Sequence, residues 1–146
     1  MEILKMAEAH VSAIAELENM CFNDPWSIHS ISTELYNPLS AWLVAVENGE
    51  VIGYIGSQSV LDGADMMNVA VHPEHRNRGV AHSLITELIN LLKDKNVISL
   101  SLEVRVSNES AIGLYHKMGF EIIGKRPGYY RNPREDAFIM RKGFAK

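Results

Sequence analysis

Cysteine is almost absent from this chain: Cys21 is the only one among 146 residues. No intramolecular disulfide can form, so stability must come from the core. Long apolar runs are missing too, and none approaches the ~20 residues that cross a bilayer. Basic charge is in deficit, with 14 Lys and Arg against 18 Asp and Glu, a net charge of -4 and a pI of ≈ 5.8. Nucleic-acid backbones demand a basic face, so no direct nucleic-acid partner is expected, and no membrane either. A cationic peptide or amine suits an acidic surface better. The opening Met1-Glu2-Ile3-Leu4-Lys5 lacks a signal-peptide design, which makes the cytoplasm the expected compartment. Repeats, low-complexity segments and linkers are likewise missing. One domain over 1–146 is the expectation, with 47% hydrophobic residues to build its core. The oligomeric state is left open.

What is present reads as a mixed α/β chain. Ile3 to Lys5 suggests a short strand. His10 to Cys21 suggests a helix with Ile14, Leu17 and Cys21 on one stripe. Ser27 can cap a second helix running to about Tyr36, stopped by Asn37-Pro38. Ala41–Glu47 and Val51–Val60 alternate as strands around Asn48-Gly49, a strong hairpin signal. Asp62-Gly63 turns the chain into a strand from Ala64 to Val71. A long amphipathic helix follows from Val80 to Lys95, with Val80, Leu84, Leu88 and Leu91 on one face. Ile98–Val106 alternates as a strand, and Ser107 or Asn108 can cap a helix ending at Met118-Gly119. Phe120–Lys125 and Ala137–Arg141 supply the last strands. A long helix between two strands implies one parallel pairing in an otherwise antiparallel sheet.

The most informative stretch is His72-Pro73-Glu74-His75-Arg76-Asn77-Arg78-Gly79-Val80-Ala81. It joins a strand to a helix start through a basic turn with a glycine. Free N–H groups at a helix N-terminus, with the helix dipole behind them, favour an anion. Gly79 allows a tight turn and close approach to a phosphate. The turn lacks the Gly-Lys-Ser/Thr of a Walker loop and the three glycines of a dinucleotide fingerprint. His72 and His75 have no cysteine or carboxylate to complete a metal site, and no metal is expected.

Beyond this turn lie Leu102-Glu103-Val104, Asn108-Glu109-Ser110-Ala111, Leu114-Tyr115 and Met118-Gly119-Phe120. With Arg-x-x-Gly-x-Ala at 76–81, this series closely resembles the Gcn5-related N-acetyltransferase (GNAT) family. Tyr129-Tyr130 and Arg134-Glu135-Asp136-Ala137 make it similar to one branch, the bacterial ribosomal-protein-alanine N-acetyltransferases. The resemblance is strong from Asn68 to Met140; before that, Asp24-Pro25-Trp26-Ser27 matches best.

The resemblance implies the GNAT fold and acetyl-coenzyme A as donor. The turn residues Arg76, Asn77, Arg78, Gly79, Val80, Ala81 and His82 would hold its pyrophosphate. Val69, Ala70 and Val71 would pair with the pantetheine arm like an added strand, and Asn108 would bond that arm. A strand bulge would free a backbone N–H near Val71 for the acetyl oxygen. Ala81 stands where many members have glycine, an accepted variant. Glu103 matches the general base and Tyr115 the general acid. Trp26 and a loop carrying Tyr129 and Tyr130 would contact the substrate, the N-terminal alanine of a small-subunit ribosomal protein.

From the residues alone, Glu103 reads as a solvated or paired carboxylate, Tyr115 and Cys21 as core, and Asn108 as a helix cap. Trp26 reads as an apolar anchor. A free α-amine titrates near 8 and lysine near 10.4, so deprotonation at pH 7 costs roughly 1 kcal/mol against roughly 4–5. One carboxylate base therefore suits an N-terminal amine better than a lysine. A small-molecule amine as acceptor, or a non-catalytic acyl-coenzyme A sensor, are the alternatives.

Overall fold

A computed structural model describes residues 1–144. In chain order these form β1 (Glu2–Lys5), α1 (Val11–Cys21), α2 (Ile28–Glu34), β2 (Ser40–Glu47), β3 (Glu50–Val60) and β4 (Gly63–Val71). They continue through α3 (Val80–Asp94), β5 (Ser99–Arg105), α4 (Glu109–Lys117), β6 (Glu121–Tyr130) and β7 (Glu135–Gly143). The local signals explain most boundaries. Asn48 and Gly49, both at positive φ, make the β2–β3 hairpin turn. Ser27 Oγ accepts from the Ser30 N–H at 3.1 Å and caps α2. Asn108 Oδ1 accepts from the Ala111 N–H at 3.1 Å and caps α4, which Gly119 ends at φ +95°.

The strands form one sheet in the order β1-β2-β3-β4-β5-β7-β6. Every pairing is antiparallel except β4 with β5, which the α3 crossover makes parallel. Apolar alternation sends the sheet's two faces into two cores. On one face α3 buries Val80, Leu84, Ile85, Leu88, Ile89 and Leu92 in one cluster with Leu43 of β2, Ile55 of β3, Met66 of β4 and Leu100, Leu102 and Val104 of β5, joined by Tyr115 of α4. On the other face Ile14 and Leu17 of α1 and Ile31 of α2 pack on Trp42, Val44, Tyr54 and Ala70. Each such large side chain contributes about 1.5–3 kcal/mol by leaving water.

Two irregularities shape the site. The β3–β4 register pairs Gly56 with Asn68 but Ser57 with Met66, so Met67 is an extra residue, a β-bulge. Four residues apart, Met66 and Ala70 should share a face of a regular strand; the bulge instead sends Met66 into one core and Ala70 into the other. Gly56, opposite the bulge, lies under Trp42, whose ring a Cβ there would meet at 2.4 Å. The second irregularity is a splay. β4 and β5 pair only from Gly63–Asp65 to Ser99–Ser101. Beyond that, β4 stays with β3 as far as Val71 and β5 stays with β7 as far as Arg105, so a gap opens between them.

The last hairpin is longer than its pattern suggests. Gly124, Pro127 and Gly128 argue against a strand, yet β6 continues to Tyr130 by absorbing register shifts at Ile122/Gly124 and Arg126/Tyr130. Gly128, at φ +62°, donates its N–H to Asp136 Oδ1 at 2.8 Å and holds this bend to β7. Tyr129 and Tyr130 therefore end a strand and are not in a loop. Phe120 lies outside β6: it is fully buried, and its N–H bonds the Tyr115 carbonyl.

Candidate active site

The gap between β4 and β5 opens into a cleft of ≈ 1080 Å³. Its first wall is backbone. The His72 N–H bonds Ile52 O, so the alternation of an antiparallel ladder turns Ala70 toward β3 and the N–H groups of Val69 and Val71 into the gap. The Val71 carbonyl confirms this direction, since it accepts from Arg76 Nε at 3.2 Å and from Cys21 Sγ at 3.8 Å. The bulge itself falls at Met67, and the open edge runs on from it to Val71.

At the far end of this wall α3 begins. Gly79 is its N-cap at φ +79° and offers no side-chain cap. The first helical bond recorded at this end is Ser83 N–H to Gly79 O, leaving the N–H groups of Val80, Ala81 and His82 available. Arg76, Asn77, Gly79, Val80, Ala81 and His82 all line the cleft. Arg78 does not. Its guanidinium turns to Glu47, at 3.2 and 3.3 Å from the two carboxylate oxygens, and to His75 Nδ1 at 2.7 Å. That tie fastens the turn to the β2–β3 hairpin.

The second wall is made of side chains. Glu103 projects from β5 on the face opposite the buried Leu102 and Val104. Burial raises its pKa above the usual carboxylate range; Arg126, at 3.6 Å from Oε1, opposes that shift, and Asp65 adds to it. Tyr115 opens from α4 into the same cleft and is only 6% exposed. Burial pushes its hydroxyl up to about 12. Asn108 caps α4, as its residue type suggested, and also lines the cleft. Tyr129 and Tyr130 meet edge to face at 5.0 Å, and Arg105 covers Tyr130 at 4.4 Å from the ring centre. Burial raises the pKa of both tyrosines, so they are neutral at ordinary pH. Trp26 joins them from the segment between α1 and α2.

Sequence reading missed the ties that assemble this wall. Asn132 Nδ2 donates to both Asp24 oxygens, at 3.0 and 3.2 Å, and Asn23 Nδ2 donates to the Asn132 carbonyl. The β6–β7 turn is thereby clasped to the α1–α2 segment. Arg105 donates to the Pro133 and Arg131 carbonyls at 2.9 and 3.1 Å and fixes the turn from beneath. Cys21, expected in the core, is half-buried on the cleft wall with its Sγ 3.4 Å from Arg76. Glu18 is 1% exposed and binds both Trp26 and Asn68. One signal pointed to it: position 18 lies four residues after Ile14, on the buried stripe of α1.

The residues fit an elongated ligand with phosphate at one end and an amide-rich arm. The helix start offers free N–H groups to the phosphate, and the open edge of β4 offers the arm a ladder. Among the described residues no cluster of three His, Cys, Asp or Glu is placed to hold a metal, and no helix is long and apolar enough to cross a membrane.

Comparison with known proteins bears on the family and the fold. Residues 11–120 match the acetyltransferase (GNAT) family model. A Haemophilus influenzae protein named [ribosomal protein bS18]-alanine N-acetyltransferase is 37% identical over 147 residues, spanning 96% of this chain and 97% of its own. A Bacillus subtilis protein named provisionally for the same activity is 40% identical over 131 residues, 89% of this chain and 87% of its own. The crystal structure of the ribosomal-protein-S18-alanine N-acetyltransferase from Escherichia coli superposes with a TM-score of 0.91 at 31% identity, covering 99% of this chain and 94% of that one.

Proposed function

The chain belongs to the acetyltransferase (GNAT) family, and on that premise we propose that it acetylates the N-terminal α-amine of a ribosomal protein of the bS18 type beginning with alanine. As a member it is an enzyme of the acetyltransferase class, with acetyl-coenzyme A as its acetyl donor. The observation that carries the reading is that Glu103 and Tyr115 open into one cleft with the backbone edge of β4, and that Trp26, Tyr129 and Tyr130 line the same cleft.

The donor supplies an acetyl thioester; this chain's residues bind and orient it. Val80, Ala81 and His82 N–H groups, with Arg76 and Asn77, hold the pyrophosphate. Val69 and Val71 pair with the arm and offer N–H groups to the acetyl oxygen, and Ala70 and Asn108 complete its bed. Arg78 braces this turn through Glu47. In the transfer a C–N bond forms and a C–S bond breaks. Glu103 takes the proton that the amine sheds, directly or through water. Burial raises its pKa, which makes the carboxylate a stronger proton acceptor. Tyr115 faces the departing sulfur. A hydroxyl near 12 is uphill by roughly 5 kcal/mol from handing its proton to a thiolate near 8.5, which favours hydrogen-bond donation over full proton transfer.

Two features support a chain terminus as acceptor. One carboxylate suffices for an amine that titrates near 8. The Asp24–Asn132 clasp also ties the Trp26 segment to the turn that follows the tyrosine pair, as a wall for an extended peptide would need. The test gives the enzyme acetyl-coenzyme A with an alanine-initiated peptide or with spermidine. Turnover on the peptide is expected. Turnover on spermidine alone makes it a small-amine acetyltransferase, and cofactor binding by calorimetry without turnover on either makes it a sensor.

A further inference from the structure

We propose that Glu18 is a positioning residue that sets the acceptor wall against the reacting edge of β4. The inference rests on the N-terminal acetyltransferase reading and deepens it. Glu18 sits on the buried stripe of α1 and does not line the cleft. Oε1 accepts the Trp26 backbone N–H at 2.7 Å, and Oε2 accepts Asn68 Nδ2 at 2.8 Å. Trp26 belongs to the acceptor wall. Asn68 directly follows the bulge residue Met67 and precedes Val69, whose N–H faces the gap. One carboxylate therefore spans the two walls.

The bulge and the carboxylate depend on each other. On a regular strand Asn68 would share a face with Met66 and point into the α3 core. The extra residue turns it toward α1, where only Glu18 receives it. A buried carboxylate is a costly choice for packing alone, since an apolar side chain of the same size is often as stable or more so. Burial raises the Glu18 pKa, and its two donors oppose the shift. Both donors would be left unpaired by an apolar replacement.

The chemistry supplies a paired test. Glu18→Met fills the space without the bonds. Asn68→Asp sets two carboxylates face to face. Glu18→Gln with Asn68→Asp reverses the donor and acceptor across the same contact and restores it. For Glu18→Met the thermal midpoint is expected to fall by a few degrees, because two donors lose their acceptor, while KM for an alanine-initiated peptide rises about tenfold, as for a lost hydrogen bond to a charged group. The affinity for acetyl-coenzyme A, by calorimetry, should stay within about twofold. Asn68→Asp should lose more, and the double variant should recover most of the loss. Fluorine NMR of protein labelled with fluorotryptophan reads the position of Trp26 without any turnover. Its resonance should broaden or split in Glu18→Met and sharpen again in the double variant. An unchanged Trp26 resonance in Glu18→Met, equal losses for peptide and cofactor, or a double variant no better than Asn68→Asp would each overturn the proposal. Failure of the wild-type enzyme on peptides would instead sink the function reading and leave the NMR result to judge Glu18.

Discussion

The part of the cleft proposed to hold the acetyl donor is built from backbone, and the part proposed to hold the acceptor is built from side chains. From Val69 to His82 one continuous stretch offers N–H groups from a strand edge and a helix start. Trp26, Glu103, Tyr129 and Tyr130 come instead from three distant segments and meet only because Glu18, Arg105 and the Asp24–Asn132 clasp hold them. A backbone site needs only the right turn and tolerates varied side chains. A side-chain site is as good as its supports. Substitutions at the two ends should therefore separate cofactor binding from acceptor binding.

The largest effect is expected where the two ends meet. Glu103→Gln should lower kcat/KM by about 10²–10⁴, the usual range for a lost general base. The wild-type profile should rise with pH as Glu103 deprotonates, at a pH above the ordinary carboxylate range because burial raises it. The variant should lose that rise. Tyr115→Phe comes next, with kcat down about ten- to a hundredfold and both KM values nearly unchanged, since one hydrogen bond to a charged sulfur is lost. Steady-state kinetics across pH check both.

Gly79→Ala tests the donor end alone. Nothing lies within 4 Å of the added Cβ, so the cost is the φ of +79° and not a clash. KM for acetyl-coenzyme A should rise about fivefold, matching roughly 1 kcal/mol of backbone strain, with the peptide KM unmoved. Asn132→Ala tests the acceptor end alone and should do the least. Its bonds to Asp24 are exposed, so the peptide KM should rise only about two- to threefold while the cofactor KM holds. A cofactor effect from Asn132→Ala would erase the distinction between the ends.

The same contrast decides what could be read from the sequence. The Arg76–Ala81 turn was legible because its geometry is local and lies in the backbone, which Gly79 and the start of an amphipathic helix announce. The Arg78–Glu47 contact was not legible, because Glu47 lies on another hairpin. The mixed sheet and its single parallel pair follow from alternation and from one long crossover helix. The full length of β6 did not, because Gly124, Pro127 and Gly128 look like breakers until β7 is present to hold the bends. The Glu18–Asn68 contact depends on a bulge that no local signal marks, and the Asp24–Asn132 clasp joins residues at opposite ends of the chain.

The central claim is that this cleft acetylates an α-amine at a chain terminus. The direct measurement is tandem mass spectrometry of an alanine-initiated peptide containing an internal lysine, after incubation with the enzyme and acetyl-coenzyme A. The expected spectrum carries one acetyl group, on the first residue, with the lysine free. Acetate on the lysine side chain with the α-amine unmodified would contradict the account.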